Sequence, residues 1–495
     1  MKLSDEVCLQ ARALIASRLG LDFPEGRRAD LERGFIRACR ASSISAPKAY
    51  LTWLASLPDG SQELMRLAGH LTVGETYFFR HHSYFEALEQ QVLPSIIASR
   101  RAEGITRLRL WSAACATGEE PYSLAILLDR LLPDRADWAL TILATDINPE
   151  ALETARRGRY REWSFRETPA WIRERYFHRQ GGETFEVDPR VRRMVTFAPL
   201  NLAEGGYPGV VTNTSAMDLI VCRNVLMYFT HEAQRQTVAR LQRALLTGGW
   251  LVVSPAEASA DLLRPLVPVN FPDAILYRKE QDGVQGAEAR GQGIKERTWE
   301  LTPSPWPPTP DPQLSIPEAP PLAVSPQPSS PESHPPTPGP RPLLERARVL
   351  ADQGKLEEAR HLCEAALGRD RLDPEAHLLL AAICQECGEI PAALEALRWV
   401  IYLAPDSAPA HFLLGSLFFR QGEHRQGRRS LETVVSLLSS VPPDEAVPGG
   451  DGLTAGRLLE TARMYLKIRD RGPGDRGQGS RDEDRTLAPG RRPLG

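Results

Sequence analysis

The chain has no window of about 18 uninterrupted apolar residues, so no membrane-spanning helix and no direct membrane insertion are expected. Its first residues, Met1-Lys-Leu-Ser-Asp-Glu, lack the basic segment and apolar stretch of a secretion signal. An excess charge of either sign is also missing, because 60 Lys and Arg stand against 63 Asp and Glu, a net charge of -3. That balance exerts no overall pull on nucleic acid or an anionic surface, and leaves charged docking to local patches. Cysteine is scarce: seven residues, an odd number scattered over three regions, make no disulfide framework and suit a reducing cytoplasm.

Proline, by contrast, is concentrated. From Pro303 to Pro342, 17 of 40 residues are proline, a density that removes backbone donors and fixes φ too often for a packed element to form. The stretch 281–342 reads as a semi-extended linker that spaces its neighbours and leaves their orientation loose. Beyond it, Gly354, Gly388 and Gly422 stand 34 residues apart, and Ala359, Ala393 and Gly427 repeat at the same interval. A 34-residue period with small residues at two fixed positions is the mark of tetratricopeptide repeats, here three over 343–440. Leu380, Cys384, Leu397, Leu414, Phe418 and Leu431 are expected in their seam, and the concave face is expected to take an unknown protein or peptide. Cys384-Gln-Glu-Cys387 has no second pair to complete a metal site and reads as packing, so no metal is expected. Residues 441–495, rich in Gly, Arg, Asp and Pro, read as a largely disordered tail.

Ahead of the linker, residues 1–75 have helical periodicity, with Leu9, Ala13 and Ala16 in one stripe and Leu31, Phe35 and Ala38 in another. Arg33, Arg37 and Arg40 line a further face, either a solvated surface or a dock for an acidic helical partner. Between 107 and 280 strands and helices alternate, which implies a largely parallel sheet covered on both faces, with ligands at the carboxyl ends of its strands. The first strand, ending near Ser112, runs into Ala113-Ala-Cys-Ala-Thr-Gly118 and a helix that opens on Glu119 and Glu120. A turn of this kind built for phosphate would carry glycines or Gly-Lys-Ser/Thr at the helix start. Carboxylates there repel a pyrophosphate and suit a ligand ammonium, as in S-adenosylmethionine. Asp146, just past the second strand, suits ribose hydroxyls or a helix cap, or both. Asn201 has an amide able to read an adenine edge. One strand delivers Arg223, Asn224 and Tyr228 in succession, and a buried Arg-Asn end requires partners.

Four segments in order, Glu75-Thr-Tyr-Phe-Phe-Arg80, Ala113-Ala-Cys-Ala-Thr-Gly-Glu-Glu-Pro-Tyr122, Ala144-Thr-Asp-Ile-Asn148 and Cys222-Arg-Asn-Val-Leu-Met-Tyr-Phe229, resemble the CheR-type chemoreceptor glutamate O-methyltransferases. The resemblance covers roughly residues 1–280, and the added linker and repeats resemble a subgroup serving alternative chemosensory pathways. It implies an N-terminal helical receptor-docking domain (1–75) and a doubly wound α/β domain dependent on S-adenosylmethionine (76–280), with a small β subdomain inserted at about 160–196. It also implies a cofactor pocket of Thr76, Arg80, Glu119, Asp146, Asn201, Leu202, Arg223 and Asn224, with Thr76 and Arg80 beside cofactor and substrate, Glu119 on the cofactor's amino group, Asp146 on its ribose and Tyr228 at the methyl-transfer position. Arg80 is expected to orient the acceptor carboxylate or the cofactor. The implied reaction gives glutamate methyl esters on receptor cytoplasmic helices and S-adenosylhomocysteine, in the cytoplasm beside receptor arrays at the inner membrane. Arg33, Arg37 and Arg40 would then face the receptor. Two departures are Gly74, where the family commonly has Asn, and Ser254-Pro-Ala-Glu257, which keeps the family's carboxylate but not its histidine. Two alternatives stay open: a scaffold that binds the cofactor with little turnover, and a methyltransferase acting on another acceptor. The chain has neither the Asn-Pro-Pro-Tyr motif nor the basic tract that nucleic-acid methylation would suggest, so no nucleic-acid partner is expected.

Overall fold

The computed structural model describes residues 3–58, 61–209, 212–280, 340–450 and 452–470. The proline-rich stretch up to residue 339 and the tail beyond Asp470 lie outside them.

Four helices lead the chain. The first, α1 (Asp5–Leu19), starts where the Ser4 hydroxyl accepts from the Val7 amide and stops at Gly20, whose φ of 67° is left-handed. It buries Val7, Ala11, Ile15 and Leu19, while the expected stripe is turned outward and leaves Leu9 69% exposed. The reason is area: Val7, Ile15 and Leu19 withdraw more apolar surface from water than a face of one leucine and two alanines. In α2 (Arg28–Ala41) the residues Leu31, Phe35 and Ala38 are buried as their spacing predicts. α3 (Pro47–Ser56) and α4 (Gln62–Leu71) complete this layer, and α5 (His82–Ala87) and α6 (Leu93–Ala102) lead into the sheet.

The α/β part then alternates as its periodicity requires. β1 (Arg107–Ala113), α7 (Glu119–Leu131), β2 (Ala139–Asp146) and α8 (Pro149–Arg157) come first. An inserted three-stranded antiparallel sheet follows, made of β3 (Arg159–Arg161), β4 (Phe177–Arg179) and β5 (Thr184–Val187), with α9 (Ala170–Tyr176) before β4. After α10 (Pro189–Arg192), the main sheet resumes with β6 (Val195–Pro199), β7 (Met217–Val221), α11 (His231–Ala244) and β8 (Leu245–Val252). α12 (Ala260–Leu263) and the hairpin of β9 (Val267–Phe271) and β10 (Ala274–Arg278) end it.

The seven strands order as β6-β2-β1-β7-β8-β10-β9, and the five from β6 to β8 are parallel. Strand order reverses between β1 and β7, which opens a crevice at their carboxyl ends. Because strand side chains alternate, Leu108, Leu110, Ile142 and Ala144 join α6 and α7 in one core. Trp111, Ala113 and Leu143 join the N-terminal helices in the other.

The repeats form three helical hairpins: α13 (Pro340–Asp352) with α14 (Leu356–Arg369), α15 (Pro374–Glu386) with α16 (Ile390–Leu403), and α17 (Ala408–Arg420) with α18 (His424–Leu438). Gly354, Gly388 and Gly422 turn them at φ of 75°, 80° and 82°, which accounts for the glycine at each interval. Cys384, Leu397, Phe418 and Leu431 are buried in the seams, whereas Leu379 and Leu413 take the deep positions expected of Leu380 and Leu414. The expectation of a disordered tail from 441 is corrected by α19 (Ala455–Asp470), which packs on α18 and buries Leu458, Ala462 and Met464. The glycines before it hide its apolar stripe from a reading of the sequence.

The array also rests on the α/β part, so its placement is less loose than the linker alone implies. A Cβ at Gly354 would stand 2.1 Å from Leu246 Cδ2, and one at Gly388 would stand 2.8 Å from the Ala139 Cβ. Gly354→Ala therefore meets both a left-handed φ and a wall, and is expected to cost about 1–3 kcal/mol. Gly422→Ala has the same φ penalty but no atom within 4 Å, so its cost should be smaller, about 1 kcal/mol. Calorimetric unfolding of the two variants checks the ranking.

Candidate active site

The crevice at the carboxyl ends of β1, β2 and β7 holds two connected cavities that share Val73, Ala114, Ala116, Asn224 and Tyr228. One, of 740 Å³, has apolar walls of Leu19, Leu21, Ile147, Leu200, Leu202 and Phe229, with Asp146 on its border. The other, of 750 Å³, is polar and lined by Glu75, Thr76, Arg80, Glu120 and Arg223. The helical N-terminus closes the apolar arm through main-chain bonds from the Asp22 amide to Tyr228 O (2.7 Å) and from the Thr230 amide to Gly20 O (2.8 Å).

The turn after β1 is drawn tight. Ala114 and Ala116 hold φ of 65° and 46°, and Gly118 holds 95°. The Cys115 amide donates to Thr145 O (2.9 Å) and the Ala116 amide to Asp146 Oδ2 (2.8 Å), while Tyr160 from the inserted subdomain donates to Thr117 O (2.7 Å). The two carboxylates at the helix start part company here. Glu119, expected to meet the cofactor's amino group, is 3% exposed, accepts from the Thr117 and Ser164 hydroxyls, and lines neither cavity. Glu120 borders the polar cavity instead, accepting from Ser112 Oγ at 2.8 Å and pairing with Arg223 at 3.4 Å. Adjacent helical residues point about 100° apart, so only the tertiary setting decides which of the two faces the crevice. Burial raises both carboxyls above their ordinary range, opposed at Glu120 chiefly by the Arg223 charge.

Asp146 is likewise raised by burial, against the backbone amides of Asn148 and Ala116 that donate to it. The helix cap open to it in the sequence belongs to Asn148, whose side chain accepts from the Glu150 and Ala151 amides. Asp146 remains on the cavity wall. Asn201 lines the apolar cavity, but its amide is turned toward its own loop. Nδ2 donates to Glu204 Oε1 (2.8 Å) and Arg18 O (3.2 Å), and Oδ1 accepts from the Ala203 amide (3.1 Å). With both donors used, it shapes the wall rather than offering the expected donor to an adenine edge. Leu202 adds apolar surface beside it.

Arg223, with its side chain 2% exposed, also donates to Arg80 O (2.9 Å) and contacts His81 Nδ1 (2.5 Å). Burial and the Arg223 and Arg80 charges lower the His81 pKa. The guanidinium of Arg80 donates to Glu75 O (2.6 Å) and lies 5.8 Å from the Tyr77 ring, with no carboxylate paired to it among the described residues. Its segment is pinned by Phe78, which packs on Phe165 and Phe177 of the insertion at 5.0 and 4.8 Å. Asn224, at φ 59°, lines both cavities, and Tyr228 faces both with Arg27 over its ring at 5.2 Å. Phe79 and His81 flank Arg80 at φ of 58° and 59°. Five non-glycine residues in the left-handed region around one crevice mark stored backbone strain of the kind that functional sites hold.

Glu257 has a role the sequence did not reveal. Buried at 5%, it accepts from the Asn224 amide (2.8 Å), the Val225 amide (2.6 Å) and the Ser254 amide (3.0 Å). The Ser254-Pro-Ala-Glu257 stretch thereby holds the turn that presents Asn224 to the crevice. Gly74 lies on the apolar wall, where a Cβ would meet no atom within 4 Å. Arg33, Arg37 and Arg40 share an exposed side of α2, where Arg33 pairs with Asp30 and Arg37 donates to His70 O at 3.0 Å. Among the described residues, no cluster of three or more His, Cys, Asp or Glu side chains is placed to hold a metal ion, and no helix is long and apolar enough to cross a membrane.

The family described as CheR methyltransferase, SAM binding domain, matches residues 74–264, and the tetratricopeptide repeat family matches residues 350–411. A probable biofilm formation methyltransferase, WspC, of Pseudomonas aeruginosa is 30% identical over 429 residues, covering 84% of this chain and 95% of that protein. Its namesake in Pseudomonas putida is 30% identical over 422 residues, with the same coverage of 84% and 95%. A probable chemotaxis protein methyltransferase of Rhizobium etli is 35% identical over 248 residues, covering 49% of this chain and 89% of that protein.

The two arms fit S-adenosylmethionine: an apolar wall beside a buried carboxylate for the nucleoside, and a carboxylate-bearing arm for the cationic end. Two expectations follow. A bound cation favours the ionised form of Glu120, so affinity should fall on acidification into the range where this raised carboxyl takes up a proton, and Glu120→Gln should flatten that dependence. Calorimetric titration at several pH values reads it. Gly74→Asn, which places an amide in open space on the cavity wall, should fold normally and tighten binding about threefold, roughly the worth of one modest hydrogen bond.

Proposed function

The chain belongs to the CheR methyltransferase family, and from that membership we propose that it transfers methyl groups from S-adenosylmethionine to glutamate side chains of chemoreceptors, adjusting the output of a chemosensory pathway. The observation that carries this reading is the two-armed crevice, which sets an apolar wall with a carboxylate next to a polar arm with Glu120, Arg80 and Tyr228. The relatives named as chemotaxis and biofilm-formation methyltransferases support an enzyme over a scaffold. Bound S-adenosylmethionine supplies an electrophilic methyl group on a sulfonium.

The acceptor needs little help from a base. A glutamate carboxyl with a pKa of about 4.3 is already ionised at neutral pH, so the protein's task is to position it and exclude water. The acceptor oxygen bonds to the methyl carbon as the carbon–sulfur bond breaks, leaving a neutral ester and S-adenosylhomocysteine. In this reading Asp146 holds the ribose, and Glu120 rather than Glu119 faces the ammonium. Thr76, Asn201, Leu202 and Asn224 line the cofactor's side, and Arg223 fixes Glu120 and the segment of Arg80. Arg80 and Tyr228 orient the acceptor carboxylate, Arg80 by charge and Tyr228 by its hydroxyl. What supports Arg80 is its place on the polar cavity without a paired carboxylate among the described residues.

In this reading a docking domain runs to residue 75 and a catalytic domain to 280, and the four helices that end at Leu71 support the first of them. The shared exposed side of Arg33, Arg37 and Arg40 supports docking to acidic receptor helices. The repeats are read as a site for a further protein, and the enzyme as cytoplasmic, recruited to receptor arrays. Each ester removes one negative charge from a receptor helix bundle and so shifts its signalling equilibrium.

The test is transfer of labelled methyl from S-adenosylmethionine to purified receptor cytoplasmic domains, scored as methanol released by base. Base-labile label is expected, while its absence despite cofactor binding would defeat the reading. Arg80→Ala should cut turnover at least about a hundredfold, the scale of a lost orienting contact, with its melting temperature unchanged. Near-normal turnover would remove Arg80 from the mechanism.

A further inference from the structure

The crossover from β6 to β7 carries no helix among its described residues, and the loop that replaces it forms a thin wall. Leu200 and Asn201 line the apolar arm of the active-site crevice from one side. They also line a second cleft, of 1130 Å³, whose far side is built by Phe412 and Leu413 of α17 and by Arg457, Leu458 and Tyr465 of α19. A partition this thin is set by what touches it from behind.

What touches it is charged and nearly enclosed. Arg457 pairs with Glu204 at 3.1 Å, with side chains only 14% and 15% exposed, and donates to Gly205 O. Glu204 accepts at its other oxygen from Asn201 Nδ2 at 2.8 Å. Gly206 allows the approach: at φ 89°, a Cβ there would stand 2.8 Å from Arg457 Nη1. From α11, Thr237 and Arg240 hold the Leu202 carbonyl at 3.0 and 3.3 Å, so the loop's backbone is anchored independently of the array. The Asn201 amide is held at three points, by Arg18 O, by the Ala203 amide and by Glu204, and only the last of these reaches the array. Without Arg457 the Glu204 carboxylate, only 15% exposed, would lose its ion pair to α19 and be drawn toward water, pulling on the Asn201 amide with it.

We propose that Arg457 and Glu204 are positioning residues through which the docked repeat array sets the Asn201 wall, so that affinity for S-adenosylmethionine and its product depends on α19 staying in place. The proposal rests on the reading of the apolar arm as the nucleoside site. It gives the repeats a task within their own chain: any protein that lifts α19 from Glu204 would weaken the cofactor's hold and slow methylation at limiting cofactor.

The experiment is calorimetric titration of the full-length protein with S-adenosylhomocysteine, together with steady-state kinetics in S-adenosylmethionine. Arg457→Ala should weaken binding about threefold to tenfold, the range of a partly screened ion pair with a hydrogen bond, and raise KM by the same factor with kcat within about twofold. Arg457→Lys keeps the charge and should restore most of the affinity. Glu204→Gln should reproduce the loss, and the double variant should be no weaker than either single one, since both break one relay. A contact that merely stabilised the fold would lower the melting temperature and leave KM alone. Unchanged affinity in Arg457→Ala and Glu204→Gln, with wild type binding normally, overturns the proposal. Failure of the wild type itself to bind would instead overturn the nucleoside-site reading, and this inference with it.

Discussion

One ion pair, the buried Arg223 with Glu120 at the cavity border, is the constraint on which the crevice depends. It joins the start of α7 to the end of β7, and Arg223 reaches on to Arg80 O and His81, so three chain segments meet at a single guanidinium. Charges taken this far from water need each other and additional hydrogen bonds, and Ser112 and the main chain at Arg80 supply them. The arrangement leaves one face of Glu120 and the guanidinium of Arg80 on a cavity that a cationic ligand and an anionic acceptor can share. Removing either partner would strand the other inside the protein, which is why the pair holds shape and chemistry together.

Around this centre the chain uses elements of different origin for the same end. The N-terminal helices close the apolar arm by main-chain bonds at Gly20 and Asp22. The inserted sheet clamps Phe78 and reaches the β1 turn through Tyr160. Glu257 gathers the amides of the turn after β7, and α19 presses on the loop after β6. Each contact restrains a loop that carries a cavity residue. For a reaction whose nucleophile is already ionised, such restraint is the main catalytic resource available to the protein.

A good deal of this was legible in the chain. The alternation of β1, α7, β2 and α8 follows from hydrophobic period, and the repeat turns follow from glycines that must hold positive φ. Asp146 at the end of β2 and the Arg223–Asn224 end of β7 stood out because polar residues closing buried strands require partners. Other features were hidden by local ambiguity. Leu9 suggested the wrong face of α1, since periodicity shows that a stripe exists and not which of two competing stripes buries more surface. The glycines and prolines around residues 441–456 concealed α19, which buries Leu458 and Ala462 in one core with Leu431 and Val434 of α18.

What the sequence by itself determined were the elements, their order, the repeat architecture and the kind of chemistry its motifs permit, because these depend on spacing and residue type within short windows. Tertiary structure alone decided that Glu120 and not Glu119 faces the crevice, that Asn148 takes the cap and frees Asp146 for the wall, and that Asn201 turns to Glu204. It also decided that Arg457 stands behind that wall, 253 residues along the chain from Glu204. The physical reason is common to all of them: a side chain's partner is chosen by distance and burial in the folded molecule, and neither is encoded in the identity of its neighbours along the chain.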